Sequence, residues 1–577
     1  MRRFAFPILL GLFIALALAY SIVIPLGEAP DEVSHWAYVE SIAMQSRLPT
    51  PEGAAAGEAN QPPLYYWLTA LATAWIPRAD FAILANPDFV LDDPATPNLL
   101  LHPRREAFPY YGVALAWHWA RVLSVLLGAV TVWATWRSAQ EFFPDNVALP
   151  LATAAWVAFL PGWVSLAAVV NNDNLIGMLS ALAIWQTLRL ERTRRGCDAV
   201  WLGGLLGLAW LTKLSAAAVW GFVALALIVL AWRTRAWRQI ATLAAICFGA
   251  AIVIALPWLA YNWVTYGDPL GWALYLQVGT VRPTPMNWAD WQVVGWQLLT
   301  SFWGRYGGAL QIHMPTPIYL GASVLAILAA GGLIGARRTP AIRRVLLWLA
   351  LFGLPMLAAY LQWARMDYGA GQARRLYPML PLLALALTAG VAQIFRAHAS
   401  RAVAVWSGAL GGLGIGALIF LGGVYAAPSQ NLAQLPALGG AQAPSDFGQV
   451  IRVQDYRITQ VRRADGVALA VEVYWQALQS PAENYWLLLQ LADRNGSVAE
   501  ASSVPAAGRR TTDVWRAGQA FVSTHTLIVP ASVAPGRYTL RLGLHPAGVW
   551  DWLPVRDQEM LMLGVVEIAR YEKGESK

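Results

Sequence analysis

The chain alternates long apolar runs with short polar ones. Nearly uncharged stretches fall at 4–26 and at about 116–137, 147–170, 174–190, 199–212, 214–232, 239–258, 316–335, 345–363, 377–395 and 402–425. A bilayer-spanning helix needs roughly 20 such residues, so the pattern predicts about eleven transmembrane helices. The first run is too long for the apolar part of a cleaved signal peptide and reads as a retained helix. Four connecting segments are short and Arg-rich: "RLERTRRG", "WRTRAWR", "ARRTPAIRR" and "FRAHASR". Positive charge stays with cytoplasmic loops. With Arg2 and Arg3 ahead of the first run, the N-terminus is expected in the cytoplasm. An odd number of spans then puts the C-terminus outside. The segments from Gly27 to about Ala116 and from Tyr261 to about Thr316 become long outer loops. Within them, "VSHWAYVESIAMQ", "PPLYYWLTALATAWIP" and "MNWADWQVVGWQLLTSFWGRYGG" read as helices lying at the membrane surface.

After Tyr425 the period changes. A linker rich in Ala, Pro, Gln and Gly leads into segments that alternate apolar and polar residues. Leu469, Val471, Val473 and Trp475 share one face, and Tyr538, Leu540, Leu542 and Leu544 share another. Period two between turn signals such as "DRNGS" and "APGR" predicts a β-sandwich. The expected organisation is a transmembrane domain over 1–426, a linker over 427–445, an extracytoplasmic β-sandwich over 446–570 and a tail over 571–577.

Composition agrees. The 577 residues are 57% hydrophobic and 13% charged, about half the charge of a soluble chain. The net charge of +8 is not gathered into an arm or tail, so nucleic acid is not an expected partner. Cys197 and Cys247 cannot form a disulfide framework. No metal-ligand spacing is present, and a metal-independent activity is expected.

The candidate chemistry sits at the lips of the spans. "GEAPDEVSHWAYVE" places Asp31 and Glu32 just after the first run. Four further polar clusters fall on the same expected side: "NNDN" with Asn172 and Asp173, "LTKLS" with Lys213, "RPTPMNW" and "FWGRYGG" with Arg282 and Arg305, and "YGAGQARRLYP" with Gln372, Arg374 and Arg375. Each has a plainer reading. Asp31 is a natural helix N-cap, the Asn residues can cap helix ends, Lys213 can snorkel, and the two arginines can anchor a helix to lipid. His35 and His313 read more readily as structural than as ligands. Ionisable groups at this depth are costly and usually functional, however. Their signs also divide, with acids in the first loop and fixed cations later. A carboxylate facing fixed cations at a lipid surface suits sugar transfer from a lipid phosphate. The cations hold the departing phosphate, and the acid accepts the proton of the attacking hydroxyl.

The same segments resemble the GT-C superfamily of membrane glycosyltransferases, which includes the protein O-mannosyltransferases and the aminoarabinose transferases of lipid A. The matching motifs are "PDEVSHWAYVE", "NQPPLYYWL", "NNDNL", "GLAWLTKLSA", "PWLAYNWVTYGDPLG", "SFWGRYGG" and "GQARRLYP", spread over about residues 5–425. The resemblance implies a polyprenyl-phosphate sugar donor, an inverting transfer on the outer face of a bacterial plasma membrane, and a lipid, glycan or protein acceptor. It gives Asp31 the role of base with Glu32 as its neighbour, and it assigns the donor phosphate to Arg374, with Arg375 and Lys213 as further candidates. Gln372, Asn172, Asp173, Asn262, Arg305, His35 and Tyr65 are weaker substrate-binding candidates. The chain departs from the family pattern at Ala373, where Gly is expected, and at Arg375, where Tyr is expected. Two other readings are a transporter or flippase for a lipid-linked sugar and a non-catalytic envelope assembly protein. The absence of a clear internal repeat and the gathering of charge at one face count against the first of these.

Overall fold

The structure is a computed structural model that describes residues 4–79, 81–441, 443–463 and 466–569. Arg2, Arg3 and the expected tail over 571–577 lie outside the described residues. Sixteen α-helices are described: Ala5–Val23 (α1), Glu32–Gln45 (α2), Leu64–Ala72 (α3), Gly112–Phe142 (α4), Ala148–Phe159 (α5), Pro161–Ala167 (α6), Asp173–Thr193 (α7), Gly196–Trp210 (α8), Ala216–Thr234 (α9), Trp237–Tyr266 (α10), Trp272–Val278 (α11), Trp288–Trp303 (α12), Thr316–Gly335 (α13), Pro340–Ala364 (α14), Leu380–Ile394 (α15) and Ala399–Tyr425 (α16). Two-residue ribbons pair Leu84–Ala85 (β1) with Leu100–Leu101 (β2), and Arg305–Tyr306 (β3) with Ile312–His313 (β4).

Every predicted apolar run contains a helix, and the protein is a multi-pass membrane protein. The expected count of eleven spans is not confirmed. Among the described residues, eight helices are long and apolar enough to cross a membrane. A ninth arises if α5 and α6, bent by 64°, form one broken span. The bend falls at Leu160–Pro161, where proline cannot continue the helix before it. Two predicted spans fall short. Helix α8 has only 15 residues, and α7 opens on Asp173 and closes on Arg189, Glu191 and Arg192.

The chain divides into two compact units. The first comprises Met1–Arg78 and Leu115–Leu421. Its core joins α4, α7–α10 and α13–α15 through Ile184, Leu206, Phe222, Trp348, Phe352 and Leu385, among others. Glycine allows the closest helix contacts. A Cβ on Gly390 of α15 would overlap the Ala329 carbonyl of α13, and one on Gly203 of α8 would overlap the Cys247 carbonyl of α10. Small residues at crossings are the membrane solution to helix packing.

The second unit comprises Ala79–Ala114 and Gly422–Lys577. Its strands are Ser445–Phe447 (β5), Ile451–Arg463 (β6), Gly466–Ala477 (β7), Tyr485–Asp493 (β8), Gly496–Ser503 (β9), Ala520–Pro530 (β10), Gly536–Pro546 (β11) and Leu561–Ile568 (β12). They form two four-stranded antiparallel sheets, ordered β10-β7-β6-β5 and β12-β11-β8-β9. The predicted alternation holds. Leu469, Val471, Val473 and Trp475 share one core with Leu540, Leu542 and Leu544, all fully buried. Each such side chain contributes about 1.5–3 kcal/mol through burial. The 79–114 segment of the first long loop joins this unit. Asp88 accepts hydrogen bonds from the Ser503 hydroxyl and the Val504 N–H, and Asn86 donates to the Asn98 and Ala507 carbonyls.

Candidate active site

The adjacent acids Asp31 and Glu32 point different ways. Glu32 opens α2 and is fully buried. Its carboxylate accepts hydrogen bonds from Arg121 Nε (2.8 Å) and Nη2 (2.7 Å), Trp117 Nε1 (3.0 Å), and the N–H groups of Val170 (2.9 Å) and Gly27 (3.1 Å). Arg121 also donates to the carbonyls of Ser21, Ile24 and Pro25. Those carbonyls end α1 and have no helical partner of their own. The Glu32–Arg121 pair therefore ties the end of α1, the start of α2, α4 and the α6–α7 turn together.

Asp31 occupies the N-cap position of α2 but makes no capping hydrogen bond. Its backbone is left-handed, with φ of 62°, a conformation that Asp tolerates better than most residues. This turn sends its side chain away from the helix to the Arg374 guanidinium, with which it forms an ion pair. The Asp31 side chain is 45% exposed while that of Glu32 is 0% exposed, so of the two only Asp31 is open to a substrate. Burial alone would raise its carboxyl, but Arg374 outweighs that and holds it well below the usual carboxylate range.

Arg374 precedes α15 and is buried. It donates to Gln372 Oε1 (2.7 Å) and lies 3.7 Å from Asp173 Oδ2. Asp173 in turn holds Lys213 Nζ at 2.6 Å, and Lys213 also donates to Asn172 Oδ1 (3.1 Å). Asp31, Arg374, Asp173 and Lys213 thus form one chain of alternating charge, built from four segments far apart in sequence. Burial pulls the Lys213 ammonium below its ordinary range, opposed by Asp173. Asn172 Nδ2 faces Gln61 Oε1 and the Tyr66 hydroxyl, and the Tyr65 hydroxyl accepts from the Asn171 N–H and meets Ser124. His35 Nδ1 meets the Tyr66 hydroxyl at 2.9 Å. Burial brings His35 down to about 3, so the imidazole is neutral.

Glu58 was not among the sequence candidates. It is buried, 3.8 Å from His35, at the end of a three-residue 3₁₀ turn, Ala56–Glu58. Burial and then the neighbouring Asp31 raise its carboxyl, so its protonated form is favoured. Asp31, His35 and Glu58 each place a ligand atom within 4.8 Å of the others. Carboxylate and imidazole are suitable donors for a divalent cation. An ion there would have to replace the hydrogen bonds to Arg374 and Tyr66.

The remaining candidates divide. Arg305 and Gln372 line a small cavity of about 50 Å³ with Arg374, Glu28, Pro30 and Tyr377. Arg375 lies over the Trp363 ring, 3.3 Å from its centroid, and its Nε is buried without a partner among the described residues. Arg282 is committed elsewhere, donating to the Asp367 carbonyl and covering Tyr368. Asn262 is buried against the 269–271 turn, and His313 forms part of the β3–β4 ribbon.

Residues 117–261 match the family model described as dolichyl-phosphate-mannose-protein mannosyltransferase. That segment carries Trp117, Arg121, Asn172, Asp173 and Lys213. No curated protein matches the chain. Among solved structures, the apo oligosaccharyltransferase of Archaeoglobus fulgidus is 12% identical with a TM-score of 0.43, over 73% of this chain and 55% of that one. The chain thus spans about half the length of that relative. ArnT from Cupriavidus metallidurans in the apo state is 15% identical with a TM-score of 0.33, over 66% of this chain and 76% of that one. The same enzyme bound to undecaprenyl phosphate is 17% identical with a TM-score of 0.30, over 67% and 77%. The chain resembles the GT-C glycosyltransferases in its motifs, and over residues 117–261 it matches the mannosyltransferase family within them.

Proposed function

We propose that this protein is a membrane glycosyltransferase that moves a sugar from a polyprenyl-phosphate carrier to an acceptor hydroxyl, on the face of the membrane away from the cytosol. The observation that carries the reading is the direct meeting of Asp31 with Arg374, beside Asp173 and Lys213. The family match over 117–261 supports a lipid-phosphate donor. In the resting site Arg374 masks Asp31. A donor phosphate competes for the guanidinium, with Lys213 adding a second positive charge. Release from Arg374 lets the Asp31 carboxyl return towards its ordinary basicity. Asp31 then takes the acceptor proton as the acceptor oxygen attacks the anomeric carbon. The bond from the sugar to the phosphate oxygen breaks, and its electron pair stays with the phosphate. Arg374 and Lys213 stabilise the charge that develops there. Glu32 holds the loop that carries Asp31, and Arg375 adds positive potential behind Arg374.

The test is turnover of purified protein in nanodiscs with a panel of polyprenyl-phosphate sugars and a membrane extract as acceptor source. Release of polyprenyl phosphate is expected with at least one sugar. Asp31→Asn should lower it about 100- to 10,000-fold, the usual range for loss of a positioned base. Unchanged release in that variant would remove Asp31 from the chemistry. Turnover is expected to persist in chelator, because fixed cations carry the phosphate. Loss in chelator with rescue by added Mn²⁺ would instead assign an ion to Asp31, His35 and Glu58.

A further inference from the structure

The second unit carries a cleft of about 600 Å³ that lies wholly within it. This is inside the range of small-ligand sites, about 300–1,000 Å³. Its walls come from the residues around the start of β8, the end of β11 with the turn after it, and the 82–105 segment. Six buried polar atoms on side chains lining it lack a partner among the described residues: both amide atoms of Asn484, Trp486 Nε1, His545 Nε2, Asp513 Oδ1 and Arg105 Nε. Native proteins leave few such atoms, and each costs about 1–3 kcal/mol. Their convergence on one cleft calls for an account.

Their chemistry is mixed in a definite way. His545 Nδ1 lies 3.0 Å from both the Pro546 and Val549 carbonyls. Nδ1 must therefore carry a proton, and in the neutral ring Nε2 is then an acceptor. Asp513 Oδ2 is held by the Arg104 N–H at 2.7 Å, leaving Oδ1 an acceptor. Trp486 and Arg105 offer donors, and Asn484 offers both kinds. Neighbouring donors and acceptors suit groups that both give and accept hydrogen bonds, which is the property of vicinal hydroxyls. An apolar platform adjoins them. Trp550 is 67% exposed, yet it is stacked on His545 at 4.5 Å and braced by Trp552 at 5.8 Å. An indole fixed with one face open is suited to the C–H face of a sugar ring. Charge disfavours an anion, because the Arg105 guanidinium is matched by the Glu483 and Asp513 carboxylates.

We propose that this cleft is a binding site for a neutral saccharide, distinct from the Asp31–Arg374 site and independent of the reading of that site. Sugar hydroxyls would partner Asn484, Trp486 and His545 while the ring stacks on Trp550. The experiment uses the full chain in nanodiscs, which avoids sugar-headed detergents. Maltose, cellobiose, mannobiose, galactobiose and N,N′-diacetylchitobiose are titrated at millimolar concentrations and followed by saturation-transfer NMR. Saturable binding of at least one is expected. Trp550→Ala should weaken it about tenfold or more, in line with the loss of one aromatic stacking contact. Asn484→Ala should weaken it as well, and Asp31→Asn should leave it unchanged. Trp550 is largely exposed, so its replacement leaves the sandwich core intact. Absence of saturable binding across the panel would overturn the proposal. So would binding indifferent to both Trp550→Ala and Asn484→Ala, or binding lost in Asp31→Asn.

Discussion

Glu32 is fully buried and accepts five hydrogen bonds, whereas nearly half of the neighbouring Asp31 side chain is open. Their substitutions should therefore fail differently. Glu32→Ala leaves Arg121 as a buried, uncompensated charge, which costs about 3–5 kcal/mol. A lowered thermal midpoint and poor membrane yield are expected. Asp31→Asn keeps an acceptor for Arg374 and should melt close to the parent while losing transfer. Equal melting of both variants would refute this division. Glu58 offers a second contrast. Its carboxyl is raised, so protonation is favoured near neutral pH, and raising the pH adds a second negative charge beside Asp31. Glu58→Gln mimics the protonated form. It should keep turnover within a few fold at neutral pH and resist the decline of the parent at alkaline pH. A large loss at neutral pH would assign the ionised carboxylate instead. Asp31, Arg374, Asp173 and Lys213 were legible because charge at the mouth of an apolar run stands out. Glu58 was not, because "AAAGEANQPP" has no periodic pattern and its burial arises only when the loop folds back on His35 and Tyr66.

Among elements, those with a strict period were the most legible. The alternating segments around Leu469–Trp475 and Tyr538–Leu544 became β7 and β11 with the predicted faces buried. The apolar runs became helices, but α8 has only 15 residues and α7, although 21 residues long, carries charge at both ends, so neither is among the helices long and apolar enough to span. Run length includes the turn residues at each end, and local composition does not reveal a broken helix such as α5–α6. Helix contacts offer a sharper test. Gly390→Leu would drive a side chain into the Ala329 backbone at the α13–α15 crossing. A loss of about 1–3 kcal/mol or more is expected from overpacking with no room to relax. Leu at Gly412 of α16, where a Cβ meets open space, should be tolerated. In the sandwich, His525 is buried between two serines. Trp475 Nε1 donates to Ser523, Ser523 meets His525 Nε2, and Nδ1 meets Ser503, whose hydroxyl donates to Asp88. Burial brings His525 down to about 3. The folded pKa is depressed, so the unfolded chain takes up a proton first as pH falls below about 6.5. Stability is then full above that value and declines towards the folded value, by on the order of 3 kcal/mol at pH 4. Hydrogen exchange of the β9 and β10 amides, corrected for intrinsic rates, should show this loss. His525→Gln should flatten it, and an unchanged pH slope in that variant would contradict the assignment.

For the whole molecule, the division into a helical unit and a strand-rich unit was legible from the change of period near Tyr425. The inclusion of 79–114 in the second unit was not. Its ties run through Asn86, Asp88 and Arg104 to residues some 400 positions later, a separation that no local pattern reveals. Orientation can be tested with the native thiols. Cys197 is exposed in the first turn of α8, directly after the Arg-rich connection, while Cys247 is buried. A membrane-impermeant maleimide should label Cys197 only after the cells are opened. Labelling of intact cells would reverse the topology and place the Asp31–Arg374 site on the cytosolic face. The central claim, that a donor phosphate takes Arg374 from Asp31, is tested most directly by a structure of the protein in nanodiscs with polyprenyl phosphate. The expected density puts the phosphate within hydrogen-bond distance of Arg374 and Lys213, with the Asp31 carboxylate released. A phosphate bound elsewhere, with the Asp31–Arg374 pair intact, would contradict it.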